Sequence, residues 1–227
     1  MKINRKQLVS VGVLTLFAAA VYLFAWSSIF SVQSVSISGV PKGPTTTTVS
    51  SKVGVSVGMQ LARVDSRQIS RRLEEFEWIE KVEVSRNWIS RKVAVEILPR
   101  TPIALFNPIS TFGSSIDRFG VIFSLPGGAP NSLPRVEAPS SESGLEAIRL
   151  FTSLPVAFRE SITLMNASKT GTYRINYGFK SRVIALTWGD SKDTDLKVEV
   201  VEKLLTLKEN GRIRYIDVSA PHAPVVR

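Results

Sequence analysis

From Leu8 to Phe30 the chain carries no charged residue, and Lys2, Arg5 and Lys6 stand just ahead of this 23-residue run. As a helix rising about 1.5 Å per residue, the run reaches roughly 34 Å, enough for a hydrocarbon core of about 30 Å. A secretory signal has a shorter apolar region, roughly 7–15 residues, closed by a small-residue cleavage site. Here Val21-Tyr22-Leu23-Phe24-Ala25-Trp26 simply continue the run. The pattern predicts an uncleaved transmembrane anchor from Leu8 to Phe30, with residues 1–7 as a short cytoplasmic tail. Basic residues precede the span and none follows until Lys42. Short-loop charge bias then puts the N-terminus in the cytoplasm and everything after Phe30 outside, the topology of a single-pass type II membrane protein.

Composition narrows what the external part can do. Lys and Arg number 29 against 19 Asp and Glu, a formal charge of +10; the tail accounts for three of these charges, leaving +7 on the rest. Such a surface suits anionic headgroups, acidic wall polymers or an acidic partner, although the basic residues are spread along the chain. Nucleic acid is a poor fit outside a membrane. The chain has no cysteine, which excludes a catalytic thiol, a thiolate metal site and any disulfide framework. Its one histidine, His222, sits between Pro221 and Ala223, and a single imidazole builds neither a histidine metal site nor a well-oriented triad. No catalytic, cofactor-binding or metal-binding residue is assigned, and no small-molecule substrate is expected.

Past the anchor the hydrophobic period changes several times. Val35 and Ile37 alternate with serines as a half-buried strand that Gly39-Val40-Pro41 stops. Pro41 to Thr48 reads as a loop, Val49 to Val57 as a short helix ended by Gly58. Asp65 and Gln68 resemble a capping box ahead of Ile69, Leu73 and Phe76 at helical spacing. Trp78, Val82 and Val84, then Val93, Val95 and Ile97, alternate with polar residues on either side of a turn at Asn87, which predicts a hairpin with Trp78, Val84, Val93 and Val95 in the core. The order β-α-α-β-β over residues 31–101 predicts a three-stranded sheet covered on one face by two helices.

Residues 102–227 read as a second domain, mostly antiparallel β with flanking helices, so the fold class is α+β. Strands are expected at Ile103–Phe106, Ser115–Leu125, Arg135–Ala138, Ile162–Met165, Tyr173–Phe179, Val183–Trp188 and Ile213–Val218. Ser143 with Glu146 reads as the capping box of a helix that Pro155 terminates. Leu196, Val200, Leu204 and Leu207 form the apolar stripe of a last helix, which stops at Asn210-Gly211.

Several segments resemble one family. Gly58-Met59-Gln60-Leu61 through Val64-Asp65, the run from Trp78 to Trp88, Val93-Ala94-Val95-Glu96 and Pro102-Ile103-Ala104 are similar to the POTRA domain of the FtsQ/DivIB cell-division proteins. Trp188-Gly189 followed by Lys197, and Tyr215-Ile216-Asp217-Val218-Ser219-Ala220-Pro221, resemble the β domain of that family. The resemblance implies a bitopic scaffold of the bacterial divisome at the septum, without chemistry of its own. Such a scaffold binds FtsB/DivIC-like and FtsL-like partners outside the membrane and helps recruit or regulate the septal synthase complex. It also implies that a late strand offers its edge to FtsB, and Ile213, Arg214, Tyr215, Ile216, Asp217, Val218 and Ser219 are the residues that match. Alternation along that strand sends Ile213, Tyr215 and Asp217 one way and Arg214, Ile216 and Val218 the other.

Two other readings compete. An external cell-wall enzyme is suggested by Lys169-Thr170-Gly171 and Ser85-Arg86-Asn87, but no lysine has a serine three residues before it, as the S-x-x-K nucleophile of that chemistry requires. The first triplet reads better as a turn before the Tyr173 strand, the second as a strand entering its hairpin. A POTRA-bearing assembly or secretion factor usually carries tandem modules or a large barrel, neither of which 227 residues contain.

Overall fold

The computed structural model describes residues 5–26, 30–41, 44–109 and 113–227. They divide into two compact units, residues 1–100 and 101–227.

Helix α1 runs Arg5–Trp26. Its described side chains, those of residues 9–22, are apolar apart from Ser10 and Thr15 and lie exposed round the helix: Val9, Val13, Leu14, Leu16, Phe17 and Tyr22 are each more than half exposed. Among the described residues no helix is long and apolar enough to cross a membrane. Residues 9–22 amount to about 21 Å of helix. The rest of the expected span, the side chains of Leu8 and of residues 23–26 together with residues 27–29, lies outside the described residues. Phe30, expected at the far end of the anchor, belongs instead to the folded domain: its ring packs on Trp88.

The first domain is a three-stranded sheet in the order β1-β3-β2, with β1 Ser34–Ser38, β2 Ile79–Asn87 and β3 Lys92–Pro99. The central strand β3 runs parallel to β1 and antiparallel to β2. Val93, Val95 and Ile97 are buried while Lys92, Glu96 and Leu98 are exposed, so one face alone is covered. Helix α2 (Pro44–Val53) and helix α3 (Ser66–Glu74) contribute Val49, Val53, Ile69 and Leu73 to that face. Trp78 is in the core as expected, but Val84 is only half-buried: it lies on the edge strand β2, opposite the fully buried Val95 of the central strand. Helix α2 differs from expectation at both ends. It starts at Pro44, whose fixed φ suits a first helical turn, and stops before Gly54, not at Gly58. Residues 42–43 of the expected loop lie outside the described residues. Asp65 caps α3 as read, accepting hydrogen bonds from the N–H groups of Arg67 and Gln68.

The second domain is one nine-stranded mixed sheet in the order β12-β11-β10-β9-β8-β7-β4-β5-β6. Its strands are β4 (Ala104–Phe106), β5 (Ser114–Ile116), β6 (Ile122–Ser124), β7 (Arg135–Glu137), β8 (Ile162–Ala167), β9 (Tyr173–Phe179), β10 (Arg182–Gly189), β11 (Tyr215–Asp217) and β12 (Val225–Val226). Helix α4 (Ser141–Ser153), the single turn α5 (Val156–Arg159) and α6 (Thr194–Thr206) pack on one face. Phe158 sits at their junction with the strands, its ring 4.7 Å from Tyr177 and 5.8 Å from Trp188. Strand β9 forms over Tyr173–Phe179 as expected, and its alternate residues Tyr173, Ile175 and Tyr177 are all buried.

Three expectations in this domain are corrected. The run Ser115–Leu125 is a hairpin rather than a strand: the buried Asp117 accepts hydrogen bonds from the N–H groups of Phe119 and Val121 and turns the chain between β5 and β6. Helix α4 is capped by Ser140, whose Oγ accepts from the Ser143 N–H, so the helix begins ahead of the expected Ser143 cap. The buried stripe of α6 is Lys197, Val198, Val201 and Leu205, one residue out of phase with Leu196, Val200 and Leu204, and Leu207 is exposed. A buried lysine reads as polar, which rotates the apparent apolar face by about 100°.

Candidate functional site

Strand β11 forms where Ile216 and Val218 turn into the core while Tyr215 and Asp217 lie on the opposite face. It runs parallel to β10, and the ladder is framed by Ala185 N–H donating to Arg214 O at 2.9 Å and Val218 N–H donating to Thr187 O at 2.9 Å. Regular pairing covers only residues 215–217, and Ile213, expected to project with Tyr215, is instead buried beside the preceding turn.

The outer side of β11 is occupied. Past a turn in which Pro221 is buried and Ala223 N–H donates to Ala220 O, the chain returns as β12, antiparallel to β11 with Ile216 opposite Val226 and Asp217 opposite Val225. Tyr215 N–H donates to Arg227 O at 3.1 Å and Arg227 N–H donates to Tyr215 O at 3.0 Å; Arg214 N–H reaches the same Arg227 carbonyl at 2.9 Å. The matched segment Ile213–Ser219 is therefore not the free edge that the sequence suggested. It is the second strand in, and the edge is β12. Two residues are too few for a periodicity, but Val225-Val226, a β-branched pair after the Pro-rich turn, was the available signal.

Side chains lock this end of the sheet. Tyr215 shares a hydrogen bond of 3.0 Å with Thr187 Oγ1 and donates to Asp217 Oδ2 at 3.2 Å, while the Arg227 guanidinium lies 5.8 Å from the Tyr215 ring centre. Asp217 Oδ1 accepts from Ser219 N–H at 2.9 Å and Ser219 Oγ at 2.6 Å. Partial burial pushes the Asp217 carboxyl up, but the hydrogen bonds from Ser219 and Tyr215, helped by the charge of Arg227, outweigh it and hold the group below its ordinary value. Beneath, Gly189 takes a left-handed φ of +76°, and a Cβ there would stand 2.8 Å from Ser219 Cβ. Trp188, Gly189, Lys197 and the 215–219 run, scattered in sequence, thus converge on one end of the sheet.

This geometry suits main-chain recognition. In an antiparallel pair successive residues point their N–H and C=O groups alternately at the partner and away from it. Arg227 faces β11, so Val226 presents its N–H and C=O outward, the way a peptide strand is added to a sheet. Among the described residues no cluster of three or more His, Cys, Asp or Glu is placed to hold a metal ion, and His222 is exposed in the turn. Lys169-Thr170-Gly171 forms the turn between β8 and β9, in which Ser168 Oγ accepts from the N–H groups of Thr170 and Thr172. Asn87 closes β2 by capping its hairpin.

A one-sided β-α-α-β-β domain followed by a mixed sheet with an exposed terminal strand defines a POTRA-bearing protein with a β-rich second domain. The POTRA domain, FtsQ-type, matches residues 30–98, and the family described as Cell division protein FtsQ/DivIB, C-terminal, matches residues 110–219. The chain is similar to the cell division protein FtsQ of Streptomyces venezuelae, 29% identical over 97% of this chain and 83% of that protein. It is also similar to FtsQ of Streptomyces collinus, 28% identical over 89% of this chain and 80% of that one. The chain belongs to the FtsQ/DivIB family of cell division proteins.

Proposed function

We propose that the chain is a non-catalytic, single-pass scaffold of the divisome. In this reading α1 anchors it, the N-terminus is cytoplasmic, and both domains stand outside at the septum, where they bind FtsB/DivIC-like and FtsL-like partners and help recruit or regulate septal wall synthesis. Family membership supports the division role. The anchor is supported by the uncharged run from Leu8 and by the predominantly apolar side chains that α1 exposes round its surface, an arrangement at home in lipid. The observation that carries partner binding is the outward-facing Val226 at the end of the nine-stranded sheet. An extended FtsB/DivIC-like segment pairs there, lengthening the sheet by one strand, with β11 as the backing.

The test replaces one N–H. Val226→Pro in the full chain removes the outward donor and spares the Arg227–Tyr215 pair. Co-purification with an FtsB/DivIC-like partner should fall sharply while the melting temperature stays at the wild-type value. A folded Val226→Pro chain that binds with wild-type affinity overturns strand addition at this edge.

A further inference from the structure

The segment following α1 is gripped by two loops of the first domain. Helix α1 ends at Trp26, and the Phe30 ring meets that of Trp88 edge-on, centroids 6.1 Å apart. Four residues span at most about 14 Å, so the tip of the β2–β3 hairpin is tethered close to the end of the helix. The grip continues along the chain. Val32 N–H donates to Met59 O at 2.7 Å, Gly58 N–H to Val32 O at 2.8 Å, and Gln33 N–H to Arg91 O at 2.8 Å, while Ser31 bridges to Gln60.

These loops show water an unusual set of side chains. Ile89 is 97% exposed, Val57 68% and Trp88 38%. The exposure of Ile89 is built in: Asn87 Oδ1 accepts from the N–H groups of Ile89 and Ser90, and Arg91 takes a left-handed φ of +54°, which fixes the turn with Ile89 at its apex. Charge is one-sided there. Arg86, Arg91 and Lys92 flank the tip, no acid occurs between Glu83 and Glu96, and the Arg86 guanidinium lies 6.0 Å from the Trp88 ring centre. A tryptophan beside a protruding aliphatic residue, ringed by cations, is the chemistry of a membrane interface. The indole sits at headgroup level, the aliphatic group passes it, and Arg and Lys meet phosphates.

We propose that the β2–β3 hairpin tip is a second, peripheral membrane contact that seats the first domain on an anionic lipid surface, with Trp88 and Ile89 in the headgroup layer and Arg91 and Lys92 against lipid phosphates. The inference rests on the reading of α1 as the anchor.

The chain lacks cysteine, so single labels are clean. Leu14→Cys, Ile89→Cys and Leu98→Cys, each carrying one polarity-sensitive fluorophore, are compared in the full chain reconstituted in phosphatidylcholine/phosphatidylglycerol vesicles. Nitroxide quenchers are placed either at headgroup level or in the mid-acyl region. Leu98 is also exposed but lies toward the opposite end of β3 from the tip. The label at 89 should shift to the blue and lose emission to the headgroup nitroxide, the label at 98 should do neither, and the label at 14 should be quenched from the acyl region. Arg91→Glu with Lys92→Glu should restore emission at 89. If 14 is quenched while 89 behaves like 98, the contact is overturned and the anchor stands. If 14 is not quenched, the anchor and the contact both fail. A blue shift at 89 without lipid quenching means protein covers the tip, which also overturns the proposal.

Discussion

Lys197 Nζ donates to the backbone carbonyl of Asp190 at 2.9 Å and to its carboxylate at 3.2 Å, with the lysine side chain 1% exposed. The ammonium also lies 5.9 Å from the Trp188 ring centre. The contact ties the start of α6 to the end of β10, the strand that pairs with β11.

Truncating this lysine tests how much of that end of the sheet depends on it. Lys197→Ala removes a long buried stem as well as both hydrogen bonds and should cost about 2–4 kcal/mol, whereas Lys197→Met keeps the packing and should cost about half as much. Urea denaturation of the full chain measures the two. Equal losses would mean that the charge, not the stem, dominates.

Gly189 should resist any side chain. Alanine there must hold a left-handed φ of +76° with its Cβ 2.8 Å from Ser219 Cβ and 3.0 Å from Ser219 Cα. The conformation alone costs about 1–2 kcal/mol, and the clash adds to it because backbone has to move. Gly128→Ala is the control, with a φ of +84° and nothing within 4 Å of its Cβ. Gly189→Ala should lose more stability than Gly128→Ala in the same urea series, and should weaken partner binding by displacing Ser219 and the turn to β12.

Acid should loosen the outer strands through Asp217. Its folded value is depressed: burial opposes ionisation, but the hydrogen bonds from Ser219 and Tyr215 and the charge of Arg227 prevail. A depressed carboxyl contributes its stability in full above the unfolded value of about 3.9 and loses it as pH falls below that value toward the folded one. The wild-type chain should therefore lose stability on acidification below about pH 4 more steeply than Asp217→Asn, which has no proton to take up there. Melting temperatures of the two across pH 3 to 6 check this, and parallel curves would sink it.

The hairpin of β2 and β3, the Asp65 cap and the alternation of β9 were all legible because each is written into neighbouring residues. The site was legible only in part. Trp188-Gly189, Lys197 and Tyr215–Ser219 could be quoted as a set, yet nothing in their spacing says that β12 closes over β11. The phase of α6 was misread for a related reason. Burial of Lys197 depends on the Asp190 carbonyl, which arrives from another element.

The sequence by itself determined the apolar run and its basic flank, the change from helical to strand periods, and the division into a β-α-α-β-β domain and a β-rich one. These follow from side-chain polarity at fixed local spacing. Only the tertiary structure decided which strand is the edge, which serine caps α4, and that Phe30 leaves the anchor to meet Trp88 edge-on. Those outcomes depend on partners distant in the chain, and a local period carries no record of which distant backbone will satisfy a given N–H or cover a given ring.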